Sequence, residues 1–234
     1  LMETRGPAGS FVAPPKAELT QCVDLGMNVP PVPDPAAFTT VLRRAAAAVL
    51  ARSDALNLMT YHVGGGNRTD RHAGARWLQP MLGNVEDALL VITEGAQAAV
   101  ATVIMSLGPR GAKILCDQRV YPGLLDICKA LDRTLVPVDG DEEGMDPCAL
   151  IAQAAASGAS AVYLNPTFHN PTAVTMSPGR RRAIAEALQA HALTAVEDDP
   201  YWHLHEDRPV PIAVLAPQNV FYVATLSKVI SPGL

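Results

Sequence analysis

Short apolar runs alternate with stretches of helical periodicity over most of the chain after residue 88. The runs typical of buried strands are 89–93, 113–116, 134–138, 160–165, 195–196 and 220–224. The helical patterns lie at 36–52, 96–107, 122–131, 146–157 and 179–191. Strands that alternate with helices favour a mainly parallel sheet covered by helices on both faces. The pattern therefore predicts an α/β fold.

Polar residues follow the last two apolar runs directly. Three consecutive carboxylates and then a tyrosine follow run 195–196, and two hydroxyls and a lysine follow run 220–224. Ligands of open α/β sheets bind beyond the carboxyl ends of the strands, so we expect these side chains to converge on one bound organic cofactor. They are Glu197, Asp198, Asp199, Tyr201, Thr225, Ser227 and Lys228.

The chemistry of this set matches the demands of pyridoxal phosphate. The aldehyde needs a lysine for a Schiff base, which Lys228 supplies. The ring nitrogen must stay protonated, and an ionised carboxylate such as Asp198 holds it so. Tyr201 lies three residues beyond that aspartate and is a candidate donor to the ring hydroxyl, while Thr225 and Ser227 flank the lysine and offer hydroxyls to the phosphate.

Three sequence blocks also carry a family resemblance. The segments EDDPYW (197–202), TLSKVISPGL (225–234) and NPTFHNPTAVTMSPGRRR (165–182) resemble the corresponding blocks of fold-type-I aminotransferases. The closest resemblance is to the aminotransferase-like domain of MocR-type regulators in the GntR family, and it covers roughly residues 25–234. It implies the large domain of a pyridoxal-phosphate-dependent transferase, with a bound cofactor and an amino-acid or keto-acid ligand.

The resemblance assigns roles to further residues. Asn170 would bond the cofactor's ring oxygen, although Ala173 stands where relatives have glycine, and Tyr121 would stack on the pyridine ring. A tyrosine in the block that contains Tyr61 reaches the cofactor phosphate of the partner subunit, which implies a homodimer. The turn before helix 96–107 offers amides and the positive end of the helix dipole to an anion. The amides expected to bind the phosphate are those of Gly95, Ala96 and Gln97.

The chain divides into three predicted parts. Residues 1–13 contain glycine-rich turn signals and resemble the last wing of a GntR-type winged helix, with a disordered leader as the alternative. Residues 14–35 are rich in proline and read as an extended linker. Residues 36–234 form the large domain, which begins with a helix that has Asp34 as its cap. Relatives continue past residue 234 with a small C-terminal domain, so we expect an incomplete domain.

Composition and charge narrow the functional classes. The net charge of −5 argues against nucleic-acid binding by this segment, and residues 180–182, the one arginine run, are expected on a solvated helix face. No apolar run reaches membrane-spanning length, which argues against a membrane partner. The four cysteines lack C-x-x-C spacing and read as reduced thiols of a cytoplasmic protein.

A metal site is the alternative use of the acidic cluster. His203 and His205 fall on one side of an expected strand near the three carboxylates, and nitrogen and oxygen ligands suit zinc. The order EDDPYW fits the anchoring of a pyridinium ring better, so no metal is assigned. The acidic turn 139–144 lacks the spacing of a calcium loop and is expected to be solvated.

Two functions from different classes fit the sequence. One is an amino-acid transaminase that works through a Lys228 Schiff base. The other is the effector-sensing domain of a MocR-type transcription regulator, whose DNA-binding part would lie upstream. The polar set around Lys228 is compatible with both, and the GPAGSFV segment (6–12) favours the regulator.

Overall fold

A five-stranded parallel sheet forms the centre of the protein. The computed structural model describes residues 2–4, 10–12, 28–30, 34–52, 59–61 and 64–232, with the backbone alone for 2–4, 10–12 and Arg52. The strands of the sheet are β3 (Lys113–Asp117), β4 (Thr134–Val138), β7 (Ala161–Leu164), β8 (Thr194–Asp198) and β9 (Val220–Val223). Their order across the sheet is β4-β3-β7-β8-β9. The predicted α/β fold with a mainly parallel sheet is confirmed.

Helices cover both faces of this sheet. The helices are α1 Pro35–Arg52, α2 Arg68–Leu82, α3 Ala96–Ser106, α4 Pro122–Ala130, α5 Pro147–Ser157, α6 Pro178–Ala190 and α7 Ile212–Leu215. One hydrophobic cluster joins α5, α6 and α7 to the sheet, and the other joins α3 and α4 to its opposite face. Both faces of β7 are covered, and its four residues are all buried.

Three of these helices begin with the same device, a polar cap followed by proline. The Asp34 carboxylate accepts from the amides of residues 36 and 37, as predicted for the start of α1. Asp146 accepts from the amide of residue 149 at 2.7 Å, and Ser177 accepts from that of residue 180 at 3.2 Å. The caps fix the first turns because these amides have no intrahelical acceptor.

The direction in which successive strands are added to the sheet reverses between β3 and β7. It passes from β3 to β4 on one side and then crosses back to β7 on the other. A crevice forms beyond the carboxyl ends of strands at such a switch point. The acidic end of β8 lies one strand away, so the topology brings the polar clusters of the sequence to one edge.

A short hairpin lies near the start of the chain. β1 (Met2–Thr4) pairs antiparallel with β2 (Ser10–Val12), so that residue 2 lies opposite residue 12. The hairpin expected from the glycine-rich turn is present, and its identity as a winged-helix remnant stays a prediction. Most of the predicted linker, namely residues 14–27 and 31–33, lies outside the described residues.

The strand expected at 89–93 is not formed. Residues 87–89 make a 3-10 turn, and residues 90–93 stay outside the sheets of the described residues. The amide of Ile92 donates to the carbonyl of Gly65, so the glycine-rich loop takes the place of a neighbouring strand. A Cβ at Gly65 would lie 3.0 Å from the Cα of Val91, which is why glycine is needed for this approach.

Two further expectations are corrected by the fold. The arginine run 180–182 is not a solvated face: Arg181 is 1 % exposed and Arg180 pairs with Asp141 at 2.6 Å. The segment with His203 is a 3-10 turn, Trp202–Leu204, and not a strand. A small hairpin, β5 (Gly140–Asp141) with β6 (Gly144–Met145), forms in the acidic turn, whose acidic side chains are exposed as expected. None of the helices in the described ranges has the length and apolarity needed to span a membrane.

Candidate functional site

Asp198 ends β8 as a buried carboxylate with one unused oxygen. The Tyr163 hydroxyl, from the neighbouring strand, donates to its Oδ2 at 2.6 Å. Its Oδ1 is buried and has no hydrogen-bond partner among the described residues. Burial raises the pKa of Asp198 to about 6, although the bond from Tyr163 lowers it. A buried acceptor without a donor is costly, so this oxygen is poised to accept from a bound molecule.

Asn165 ties the end of β7 to both Asp198 and Asn170. Its carboxamide nitrogen donates to the Asp198 carbonyl at 2.7 Å, and its carboxamide oxygen accepts from the Asn170 amide at 2.7 Å. The loop that carries Asn170 therefore has a fixed position relative to β8. Ala173, in the place of the family's glycine, adopts φ +60°. The loop thus keeps a left-handed residue at this point without glycine, at a cost of about 1–2 kcal/mol.

Asn28 connects Tyr201 with Lys228. The Asn28 carboxamide donates to the Tyr201 hydroxyl at 2.9 Å, and Lys228 Nζ donates to the Asn28 carbonyl at 2.7 Å. Asn28, Asn170 and Tyr201 line a cavity of about 290 Å³, together with apolar atoms of Phe168. Burial raises the pKa of Tyr201, which keeps its phenol neutral and able to donate.

The turn after β9 presents the two hydroxyls beside the lysine. The hydroxyls of Thr225 and Ser227 lie 2.9 Å apart, and the amide of Ser227 donates to the Thr225 hydroxyl at 3.2 Å. The turn closes through bonds from residues 229, 230 and 231 to the Leu226 carbonyl. The hydroxyls therefore form a compact polar pair on an ordered turn.

Helix α3 packs against β8 and β9, the strands that carry this site. Gly95 precedes it at φ +93°, and its amide donates to the Thr93 carbonyl, so this amide is already used. The amides of Ala96 and Gln97 belong to the first turn, which has no intrahelical acceptor. The Gln97 side chain donates to the Tyr121 hydroxyl at 2.6 Å and fixes this ring.

Gly123 makes room for the Tyr121 ring. A Cβ at Gly123 would lie 2.4 Å from ring carbon Cε1. The ring therefore folds back over the start of α4, where a larger residue would displace it. Burial raises the pKa of both Tyr163 and Tyr201, and the nearby Asp198 and Tyr121 raise both further, so these four groups lie near one another.

The side chains of the three consecutive acids at the end of β8 point to two different faces of the sheet. Asp198 points towards Tyr163, whereas Glu197 and Asp199 point to the opposite face, towards Arg181 of α6. Burial raises the pKa of Glu197 to about 7 and that of Asp199 to about 6. A buried cation therefore lies between two of the carboxylates and partly offsets their charge.

The structure brings several of the residues predicted from sequence close to one another. Asn170, Asp198, Tyr121 and Tyr201 face one region, and Asn28 links Tyr201 to Lys228. Tyr61 is 99 % exposed, so its predicted contact with a partner subunit stays a prediction.

Sequence reasoning missed four residues that shape the region. Tyr163 could have been found as an aromatic residue with a polar hydroxyl inside the apolar strand AVYL. Asn165 could have been found as an asparagine that directly follows the same strand. Asn28 and Arg181 had no local signal, because their contacts bridge distant segments. The missed residues are Asn28, Tyr163, Asn165 and Arg181.

The two histidines considered for a metal site pack as aromatic rings instead. His203 lies against Trp77, with ring centroids 4.4 Å apart, and His205 lies against Phe168 at 4.9 Å. Within the part of the chain that the structure describes, no group of three or more histidine, cysteine or acidic side chains is placed to hold a metal ion.

Comparison with known proteins agrees with this architecture. The family model described as aminotransferase class I and II matches residues 20–231. Among curated proteins, the chain is 35 % identical over 146 residues to YdeF of Bacillus subtilis, an uncharacterized HTH-type transcriptional regulator. That match covers 62 % of this chain and 31 % of the regulator.

Solved aminotransferases share the fold. The chain aligns with an archaeal alanine:glyoxylate aminotransferase at 27 % identity and a TM-score of 0.76, covering 88 % of this chain and 52 % of that one. It aligns with LysN of Thermus thermophilus, an α-aminoadipate aminotransferase solved with N-(5'-phosphopyridoxyl)-L-leucine, at 26 % identity and a TM-score of 0.73. That alignment covers 88 % of this chain and 53 % of LysN. The chain thus spans about a third of the regulator and about half of these enzymes.

Proposed function

The chain belongs to the class I and II aminotransferase family, and on this premise we propose that it is a pyridoxal-phosphate-binding domain acting on an amino acid through Lys228. Residues 36–234 form the large domain in this proposal.

The unused oxygen of Asp198 is the observation that carries this proposal. Oδ1 is buried without a donor, while Oδ2 is already bonded to Tyr163. A protonated pyridine nitrogen offers one N–H and one positive charge, which are what this oxygen lacks. A neutral amide or hydroxyl would satisfy the hydrogen bond and leave the buried charge uncompensated.

The surrounding donors fit the rest of the cofactor. Asn170 and Tyr201 would bond the ring oxygen, and Tyr121 would cover the ring. The amides of Ala96 and Gln97, with the hydroxyls of Thr225 and Ser227, would hold the phosphate, because a helix N-terminus favours an anion. Gly95 contributes the tight turn rather than its amide, which already donates to Thr93.

Pyridoxal phosphate, when bound, supplies an aldehyde that forms a Schiff base with an amine and a ring that withdraws electrons. Lys228 Nζ would hold the aldehyde and, as a free amine, would move the proton of the substrate's Cα. Asp198 would keep the proton on the ring nitrogen, and the Tyr201 phenol would donate to the ring oxygen. The Tyr163 hydroxyl keeps Asp198 ionised by bonding its second oxygen.

Titration of the full-length protein with pyridoxal phosphate tests this assignment. The wild type should develop the visible absorption of a lysine-bound cofactor. Borohydride reduction followed by peptide mass spectrometry should then locate the label on Lys228. The Lys228→Ala variant should show neither signal, whereas Lys113→Ala, which removes a lysine bonded to a distant carbonyl, should behave like the wild type. Equal labelling of the wild type and Lys228→Ala would reject the proposal.

We further propose a homodimer. Helix α1 is exposed along most of its length, with Val41 63 % and Leu50 67 % exposed, and Tyr61 is 99 % exposed. A helix that presents apolar residues to solvent needs a covering surface. Light scattering should give the mass of a dimer for the full-length protein, and Leu50→Asp should shift it towards the monomer while Arg44→Asp, on the same helix, should not. A monomeric wild type would refute this part.

A sensing domain of a transcription regulator is the second candidate. It is supported by the match to YdeF and by the N-terminal hairpin, β1 with β2, at the position expected for the last wing of a winged helix. In this case residues 14–35 link the two parts, and DNA binds upstream of this segment. Buried free thiols, Cys116 and Cys128, support a cytoplasmic protein in either case.

One measurement separates the two candidates. Half-transamination converts the bound cofactor to its amine form when an amino acid is added without an acceptor. An enzyme should complete this conversion and release a keto acid. A sensor should change its spectrum or its DNA affinity with no keto acid released.

A further inference from the structure

Arg181 of α6 is a buried cation that bonds the backbone of two loops. Its Nε donates to the Met176 carbonyl at 3.1 Å, and its Nη2 donates to the Pro166 carbonyl at 2.8 Å. Nη1 lies 3.5 Å from the Val210 carbonyl. The guanidinium therefore holds both ends of the loop that contains Asn170 and touches the segment that follows Tyr201.

The same guanidinium reaches the acids that flank Asp198. Its Nη1 lies 3.7 Å from Glu197 Oε1, and its Nη2 donates to the Thr167 hydroxyl at 3.0 Å. That hydroxyl donates in turn to Asp199 Oδ2 at 3.0 Å. Arg181 thus connects the Asn170 loop to the residues on either side of Asp198, on the face opposite the cofactor cavity.

The Asn170 loop has further polar contacts, and one of them reaches the sheet, where His169 Nε2 lies 3.6 Å from Asp117 Oδ2 of β3. Within the loop, the Met176 amide donates to the Pro166 carbonyl and the His169 amide donates to the Val174 carbonyl. Asn165 secures the Asn170 amide from the cavity side. Arg181 bonds the loop carbonyls from the opposite side, so polar contacts hold the loop on both sides.

We propose that Arg181 is a positioning residue for the cofactor site, which sets the place of Asn170 relative to Asp198. This inference rests on the proposed function, because these two residues would bond the nitrogen and the hydroxyl oxygen of one pyridine ring. Arg181 touches neither the cavity residue Asn28 nor Lys228 among its described contacts, so it acts through the loop and through β8.

The identity of the residue supports a positional role. A buried ion pair gives little net stability compared with well-packed apolar residues. Arginine presents five N–H donors in a rigid fork, and lysine presents a single ammonium. Only the fork can bond the carbonyls of Pro166 and Met176 while it faces Glu197. Its contacts therefore specify geometry as well as charge.

The test compares four variants of the full-length protein. Arg181→Lys keeps the charge and loses the fork. Arg181→Met combined with Glu197→Gln removes the ion pair without leaving an isolated charge. Arg181→Met alone reports the cost of an unpaired Glu197. Arg182→Met, at the exposed neighbour on the same helix, is the matched control.

Two readouts are measured on each variant. Hydrogen exchange of the cofactor-free protein follows the amides of His169 and Met176, and a spectral titration gives the affinity for pyridoxal phosphate. We expect Arg181→Lys and the double variant to exchange these amides at least about tenfold faster and to bind the cofactor about ten- to hundredfold more weakly, from the loss of two charged hydrogen bonds. Arg182→Met should match the wild type in both readouts.

Rescue by the double variant is the decisive comparison. If it regains wild-type stability, exchange and affinity together, Arg181 only balances the charge of Glu197 and the proposal is wrong. If it regains stability while exchange stays fast and binding stays weak, the positional role holds. A wild type that binds no pyridoxal phosphate would defeat the proposed function, and the exchange comparison would then still decide whether Arg181 fixes the loop.

Discussion

Replacing Asp198 by asparagine tests the electrostatics of the site, because the two side chains have nearly the same shape and differ in charge. In the cofactor-free protein the carboxyl is buried and its pKa is raised from 3.8 to about 6. A folded-state pKa above the unfolded one means that the stabilisation is fully present below about pH 4 and is lost as the pH rises through 6. Asparagine does not titrate, so the variant lacks this dependence.

The magnitude follows from the difference in pKa. A shift of about two units corresponds to roughly 3 kcal/mol between the limits of low and high pH. At pH 5 only part of this is realised, about 1 kcal/mol, and at pH 4 about 2 kcal/mol. From pH 8 to pH 4, the wild type should therefore gain about 2 kcal/mol in unfolding free energy relative to Asp198→Asn.

Urea unfolding of both proteins at pH 8, 5 and 4, followed by circular dichroism without cofactor, measures this difference. Only the change of the unfolding free energy with pH is compared. The cost of burying the extra N–H of the asparagine does not depend on pH and therefore cancels. Asp207→Asn, at an exposed residue that follows β8, is the control and should show no such trend. The variant should also bind pyridoxal phosphate about ten- to hundredfold more weakly, through loss of a charge-assisted bond. A difference that is flat with pH, or unchanged cofactor affinity, would refute the reasoning.

Three further substitutions test neighbouring features. Tyr163→Phe removes the 2.6 Å bond to Asp198, which lowers the pKa of this carboxyl, so the variant should raise that pKa further. The pH below which the cofactor-free protein gains stability should then shift upward in urea titrations, and no shift would contradict the role of this bond. Ala173→Gly relieves a residue at φ +60° and should stabilise the protein by up to about 1 kcal/mol; destabilisation in a urea titration would contradict this. Asp146→Ala removes the cap of α5 and should cost about 1 kcal/mol, whereas Asp146→Asn should cost much less; equal losses would argue against the cap.

The fold could be predicted from sequence where local pattern and tertiary environment agree. Strands β4 and β7 and the capped helices α5 and α6 lie within a residue or two of the expected bounds. The strand predicted for residues 89–93 was wrong because these apolar residues do not enter the sheet, and Leu89 is 78 % exposed. Apolar composition alone does not tell a strand from an extended segment that pairs with a loop.

The candidate site was predictable in its residue types and not in its connections. Lys228, Asp198 and Asn170 follow strands or occur in recognisable blocks, so sequence could place them at one sheet edge. Arg181 was expected in solvent because a helix periodicity does not reveal carbonyls that approach from distant loops. The bridge from Asn28 to Tyr201 spans 173 residues, a separation at which single-sequence patterns carry no information.

Side chains alternate between the two faces of the sheet along β8, so the three consecutive acids at its end have different surroundings. Neighbouring residues of a strand point to opposite faces, and a slip of one residue exchanges the faces. Such a slip would turn two acids towards the side of Tyr163 and leave one facing Arg181. The segment should therefore tolerate a change of side chain far better than an insertion or deletion, since a single added residue would invert the charge balance on both sides of the sheet at once.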